Sequence, residues 1–549
     1  MHTNLTPINF RTRTSVESPP VCSAVKKTTP QIMRNLIIVI SLLATSLAAS
    51  SAELNLIPWP AKVQPRAGQF SLDGKTVVMA DAPFTNEAAR LASAIHLQTN
   101  AAAGKNRIRL TTDGAEGLGE EAYRLEVDPQ GVTIHARSAA GVFYGGQTLR
   151  QLLDPKTRQI PFVNIEDAPR YAWRGLMLDV SRHFFDKPTV LQLLDWMADY
   201  KLNRFHLHLT DDAAWRLEIK KYPELTQAGA RGNFTDANAP ARFFTRAEMQ
   251  AIVQYAAQRH IVVVPEIDMP GHASAATRAL PHLDGGMHTY HPAREETYDF
   301  LQNVLLDVMQ TFPSPWIHFG GDEVNTSGWS KDADVAEKLR AVGLAKPQQL
   351  EGYFVRRMTK YISEQGRTPM GWDEIVSAKP TTNTVVFWWR HNKPEMLEQA
   401  LAGGYAVVLT PRSPYYLDYP QDQSYPKIGW KLLNTPEAVY RGPLLPTNLP
   451  SAQRKQILGV EACVWTERIA SVPYLEFMVM PRMVALAEMA WTPDNQRDFA
   501  QFSARLKPFM AQYRQLGIQS YDADQPDSSL REASPLPTPA SAAAAHANN

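Results

Sequence analysis

"RGLMLDVSRHFFDKPTVLQLLDWMADYKLNRFHLHLT", Arg174 to Thr210, holds two apolar runs on either side of a stretch with helical periodicity. "RGLMLDVS" and "RFHLHLT" read as short buried strands, and "KPTVLQLLDWMADY" as an amphipathic helix between them. Strand, helix and strand at this spacing make a βαβ unit, whose two strands run parallel. The pattern continues through "IVVVPEID", "WIHFGGDE", "TPMGWDE", "VVFWWR", "YAVVLT" and "ILGVEACVW", with helices such as "TRAEMQAIVQYAAQRH" and "REETYDFLQNVLLDVMQTF" between most of them. Eight strands alternating with helices from Trp173 to about residue 492 predict an α/β fold, a (β/α)8 TIM barrel with insertions. The competing open, doubly wound sheet lacks its signature, because no GxGxxG follows a strand.

The rest of the chain divides around this barrel, which is expected over residues 169–500. Residues 53–168 predict a small α/β domain of sheet plus helices. "KTVVMA" and "RIRLTT" are its strands, "TNEAARLASAIHLQTN" and "AAGVFYGGQTLRQLL" its helices, and "AYRLEVDPQGVTIHAR" a hairpin turning at Pro129-Gln130-Gly131. Upstream, "MRNLIIVISLLATSLAASSA" has a basic residue, an apolar run from Leu36 to Leu47 and a small-residue end. That shape is a secretory signal peptide over residues 33–52, and it is too short for an ordinary membrane span. Met33 suits the start better than Met1, so residues 1–32 are expected to be an upstream extension. A C-terminal helix or extension is expected over 501–530, and the low-complexity tail 531–549 is expected to be disordered.

Composition narrows the function classes. The 56 basic and 55 acidic residues nearly cancel, which points away from a nucleic-acid partner. Cys22 and Cys463 alone cannot build a disulfide framework or a thiolate metal cluster. Barrel enzymes carry their chemistry at the carboxyl ends of the strands. Here those ends hold Asp179 and Arg182, Asp211 and Asp212, Glu266 and Asp268, and Asp322 and Glu323. Trp372 and Asp373, Trp388 and Trp389, and Trp465 and Glu467 follow. Carboxylates hydrogen-bond sugar hydroxyls and aromatic faces stack on sugar rings, so the constellation suits a carbohydrate pocket. One competing constellation, His206, His208, His272, His318 and Asp322, could mimic a metal-dependent hydrolase. Buried histidines at these positions fit a hydrogen-bonded barrel interior better.

"RGLMLDVSRHFF", "FHLHLTDD", "PEIDMPGHA", "HFGGDE" and "EACVW", in that order from Arg174 to Glu467, together resemble the family 20 glycoside hydrolases, the β-N-acetylhexosaminidases. The small domain in front is similar to that family's usual N-terminal partner. The resemblance implies that Glu323 is the general acid/base and that Asp322 orients the substrate's acetamido group. It implies that Tyr416 binds the acetamido oxygen and that Trp372, Trp389 and Trp465 form an aromatic box. Trp389 is preferred over Trp388 for its place after "TVVFW". Arg174, Asp418 and Glu467 are similar to residues that bind ring hydroxyls, and Asp211, Asp268 and His272 to the network supporting the acid/base. "TDDAAWR" departs from the family's usual Gln-Gly after the two aspartates.

The implied activity is exo hydrolysis of terminal N-acetylglucosamine or N-acetylgalactosamine from oligosaccharides or glycoconjugates. It is retaining and substrate-assisted, through an oxazolinium-type intermediate, with no metal and no cofactor. A catalytically inactive carbohydrate-binding barrel and a metal-dependent barrel hydrolase are the alternatives. The mature protein is expected to be exported, periplasmic or secreted, with no membrane span.

Overall fold

In the computed structural model the described residues are 54–99, 106–423, 432–443, 445 and 449–523. The expected signal peptide, upstream extension and C-terminal tail lie outside them. Seven strands make the first sheet: β1 (Lys62–Ser71), β2 (Val77–Ala80), β3 (Gln98–Thr99), β4 (Arg107–Thr111), β5 (Tyr123–Asp128), β6 (Gly131–His135) and β7 (Gln159–Asp167). Their order is β1-β7-β5-β6-β4-β2-β3. The predicted hairpin is present, with Asp128 opposite Gly131. The helix from Thr85 ends at Ala94, earlier than its apolar pattern suggests. His96 adopts φ +54°, which stops helical propagation, and the chain re-enters the sheet at Gln98. The long neighbouring strands β1 and β7 are absent from the sequence-based expectation. Pro65, Gly68 and Pro161 interrupt their alternation, and β1 changes register between Pro65 and Gln69.

Eight parallel strands follow and close on themselves: β8 (Trp173–Asp179), β9 (Arg204–His208), β10 (Val262–Glu266), β11 (Trp316–His318), β12 (Thr368–Trp372), β13 (Val385–Trp388), β14 (Ala406–Leu409) and β15 (Ile457–Val464). Each coincides with one of the apolar runs. Side chains alternate across each strand, which sorts them into two cores. Leu176, Leu178, Phe205, Leu207, Val386, Val407 and Leu409 face outward to the helices. Trp173, Met177, Val264, Met370, Phe387, Val408 and Cys463 fill the interior. His206, His208, Glu266, His318 and Glu461 are fully buried polar residues of the strands.

Arg174 does not reach the carboxyl end of the barrel. It is the second residue of β8, five residues and about 16 Å before Asp179. Its guanidinium donates to both oxygens of Glu121, at 2.8 and 2.9 Å, and to the carbonyls of Lys201 and Tyr171. It therefore ties the small domain to the amino end of the barrel and binds no sugar there. Lys201 donates to Asp167 at 3.1 Å in the same seam, and the Trp491 indole donates to Asp167 as well. Buried charges in such a seam are costly when one partner is removed. Arg174→Ala should lower unfolding free energy by about 3–5 kcal/mol in denaturant titration, while KM of the folded enzyme stays unchanged. A raised KM at unchanged stability would return Arg174 to the binding site.

Candidate active site

The stretch after β11 explains how two adjacent acids serve one site. In a continuing strand Asp322 and Glu323 would point to opposite faces. Instead Gly320 and Gly321 take φ +70° and +92°, and Glu323 itself takes φ +49°. A Cβ on Gly320 would lie 1.8 Å from Asp268 Oδ1, and one on Gly321 2.5 Å from the Ile375 side chain. Only glycine fits this curl. Both carboxylates then approach one imidazole: His272 Nε2 lies 3.5 Å from Asp322 Oδ2 and 3.8 Å from Glu323 Oε2. The left-handed, non-glycine backbone at Glu323 is strain held by the surrounding packing.

Behind His272 runs a chain of alternating bases and acids. Its Nδ1 lies 3.3 Å from Asp211 Oδ1 and 3.5 Å from Asp212 Oδ2. Asp211 Oδ2 is 2.8 Å from Arg182 and 2.9 Å from His208 Nε2, and His208 Nδ1 meets Glu266 at 2.5 Å. Burial pulls the His272 pKa down, but the Asp211 charge and the hydrogen bonds of Asp211 and Asp212 override it. The imidazole is therefore held well above its ordinary range. Asp211 is the converse, with burial overridden by Arg182 and His272 so that it stays ionised. Asp268 is buried beside Gly320, and burial with the Asp322 charge holds it well above the ordinary carboxylate range. Of the three residues named as the acid/base support, Asp211 and Asp268 thus lie against the third, His272.

The aromatic residues enclose a neighbouring space. Trp389 and Tyr416 stack with ring centroids 6.2 Å apart and planes 10° apart. Trp465 is 5.9 Å from Tyr416 and 5.8 Å from Trp372. Trp388 turns outward into the helix-facing core instead. At the rim, Arg182 lies over Trp465 and 3.9 Å from Glu467. Burial and then the Glu467 charge push the Asp418 carboxyl well up. Oδ1 of Asp322 and Oδ1 of Asp418 have no hydrogen-bond partner among the described residues, a configuration that suits acceptors kept for a ligand. Arg182, eight residues after Arg174 in the same motif, occupies the rim position expected of Arg174. Sequence reasoning placed Arg182 at a strand end but gave it no role. Glu266 and Glu374, whose partners are remote in sequence, were also unassigned.

Three histidines of the metal-hydrolase alternative, His206, His208 and His318, sit inside the barrel as carboxylate partners, while the fourth, His272, faces the acid pair. His206 bonds Glu461 at 2.8 Å and lies 3.1 Å from Glu266, and His318 Nδ1 lies 2.9 Å from Glu266. Burial lowers the His206 pKa, but the charges of Glu461 and Glu266 raise it to about 9. A protonated imidazole has no lone pair for a metal, so a cation here would first have to displace that proton.

Comparison with known proteins agrees with this geometry. Residues 171–494 match the catalytic domain of glycosyl hydrolase family 20, and residues 53–168 match domain 2 of that family. A β-hexosaminidase of Porphyromonas gingivalis is 33% identical over 85% of this chain, which spans 65% of that relative's length. A β-N-acetylhexosaminidase of Cellulomonas fimi is 36% identical over 76% of this chain and 83% of its own. Among solved structures, the exo β-N-acetylglucosaminidase of Vibrio harveyi in complex with N-acetylglucosamine superposes with a TM-score of 0.78. It shares 30% identity and covers 85% of this chain and 78% of its own. With both domains matched and the acid pair, histidine chain and aromatic box assembled at one end of the barrel, the chain belongs to glycosyl hydrolase family 20.

Proposed function

We propose that the protein is an exo-acting β-N-acetylhexosaminidase that removes terminal N-acetylglucosamine or N-acetylgalactosamine with retention, using the substrate's acetamido group as nucleophile. The observation that carries this reading is the convergence of Asp322 and Glu323 on His272 beside a four-ring aromatic box. A two-carboxylate glycosidase needs its acids on opposite sides of the scissile bond. These two lie next to each other and do not flank the bond as that pair must, which supports the acetamido oxygen in the nucleophile's role.

Glu323 donates a proton to the departing glycosidic oxygen while the acetamido oxygen attacks the anomeric carbon. Holding the acyl group in the box makes the attack intramolecular and efficient. Asp322 accepts from the acetamido N–H and offsets the positive charge that grows as the ring closes. Tyr416 donates its hydroxyl to the acetamido oxygen; burial, its largest influence, keeps that phenol protonated. Water, deprotonated by Glu323, then opens the oxazolinium with net retention. Arg182, Asp418 and Glu467 bind ring hydroxyls, and walls of aromatics and hydroxyl binders favour removal of a terminal sugar. The Vibrio harveyi relative, described as exo-acting and binding N-acetylglucosamine, supports this reading.

The signal-peptide pattern of residues 33–52 supports export to the periplasm or medium. Among the described residues no helix is long and apolar enough to cross a membrane. The natural substrates are glycans or glycoconjugates ending in an N-acetylhexosamine.

Glu323→Gln should cut kcat on aryl N-acetylglucosaminides by about 10²–10⁴-fold with the fold intact by circular dichroism. Asp322→Asn should lower kcat by about 10²–10³-fold, and near-wild-type rates for it would remove its role at the acetamido group. Arg182→Ala should raise KM about tenfold or more, because it takes away a charged hydrogen-bond donor at the rim. Turnover should be indifferent to a chelator. Loss that a divalent metal restores would favour the metal-dependent alternative, and sugar binding without turnover would favour the inactive one.

A further inference from the structure

Two successive carboxylates grip the two ends of one wall of the aromatic box. Asp373 Oδ2 accepts the backbone N–H groups of Trp389 and Arg390, each at 3.2 Å. Glu374 Oε2 accepts the indole Nε1–H of the same Trp389 at 2.9 Å. Arg390 closes the cluster, with Nε 2.5 Å from Asp373 and Nη1 3.5 Å from Glu374. The Arg412 guanidinium lies 5.0 Å from the centre of the Trp389 ring, and Tyr416 runs parallel to it. Backbone, ring edge and ring face of Trp389 are thus all held, which leaves the indole little freedom to tilt.

We propose that Glu374 is a specificity-determining positioning residue: by fixing the Trp389 indole it sets the size of the pocket for the N-acyl group and confines the enzyme to N-acetyl sugars. This rests on the acetamido reading above and deepens it. An apolar pocket wall that cannot move discriminates one extra methylene by about 10–200-fold. A wall free to tilt would admit longer acyl groups and would hold the acetyl oxygen less well for attack, which lowers kcat more than binding. Burial and the Asp373 charge hold Glu374 well above the ordinary carboxylate range, with Asp322 adding to the effect. A neutral Gln is therefore a fair mimic that keeps the acceptor for the indole.

The test compares kcat and KM for aryl 2-acetamido, 2-propanamido and 2-butanamido β-glucosides. Glu374→Ala should lower kcat on the acetyl substrate about tenfold with KM within about threefold, and narrow the acetyl-to-propanoyl preference at least about fivefold. Glu374→Gln should restore the preference to within about twofold of wild type. Trp389→Phe keeps a flat wall but removes the indole donor, so it should narrow the preference even if Glu374→Ala fails to fold. An unchanged preference in Trp389→Phe or in folded Glu374→Ala overturns the inference, and so does a Gln variant as relaxed as the Ala variant. If wild type failed to hydrolyse the acetyl substrate, the proposed function would fall and this inference with it. Acetyl hydrolysis with an unmoved preference would sink the inference alone.

Discussion

One buried carboxylate organises the interior of the barrel. Glu266, the last residue of β10, meets His206, His208 and His318 and accepts the Trp372 indole N–H at 2.9 Å. Burial pushes its pKa up, but the histidine charges override this, His208 first, and keep it ionised. An isolated charge in that position would be prohibitive, so the surrounding rings are a condition of its being there. Three branches leave this hub. One runs through His208, Asp211 and His272 to Glu323, and a second fixes Trp372 in the aromatic box. A third passes inward through His206 to Glu461, which also accepts the Trp173 indole. The acid/base side and the acetamido side of the pocket are therefore registered to one another through a single residue that touches neither substrate nor solvent.

The second constraint is backbone geometry. A barrel strand presents alternate side chains to alternate faces, which would separate Asp322 from Glu323. Gly320 and Gly321 break that alternation, and the left-handed Glu323 completes the turn. The glycines also let Asp268 pack directly against the chain, so the curl and the support of the acid pair have one origin. Function here spends conformational strain, and the packed interior beneath the strand end supplies the stability to hold it.

Much of this was legible in the sequence, for identifiable reasons. The eight barrel strands announce themselves because parallel, doubly covered strands are continuous apolar runs separated by helical periods. The acids and aromatics at their ends were legible because chain position alone puts a residue at one end of the barrel or the other. The same rule shows where Arg174 went wrong: it begins its strand and Arg182 follows it, so distance along β8 separates seam from rim. Trp389 was preferred to Trp388 for its place after "TVVFW", and the alternation of side chains puts it with Phe387 while Trp388 faces the helices. Glu374 was not legible, because its value depends on an indole fifteen residues away across two strands. The neighbouring strands β1 and β7 were missed where proline and glycine blur the period, and the helix ending at Ala94 depends on one left-handed residue, His96.

The central claim is that the nucleophile belongs to the substrate. It is tested most directly by measuring kcat/KM for aryl glucosaminides whose acetyl group carries no, one, two or three fluorines. Fluorine drains electron density from the acyl oxygen at little cost in size. The account predicts a steep, monotonic fall in rate along the series. A flat series would mean that a group of the protein attacks the anomeric carbon, and would contradict it.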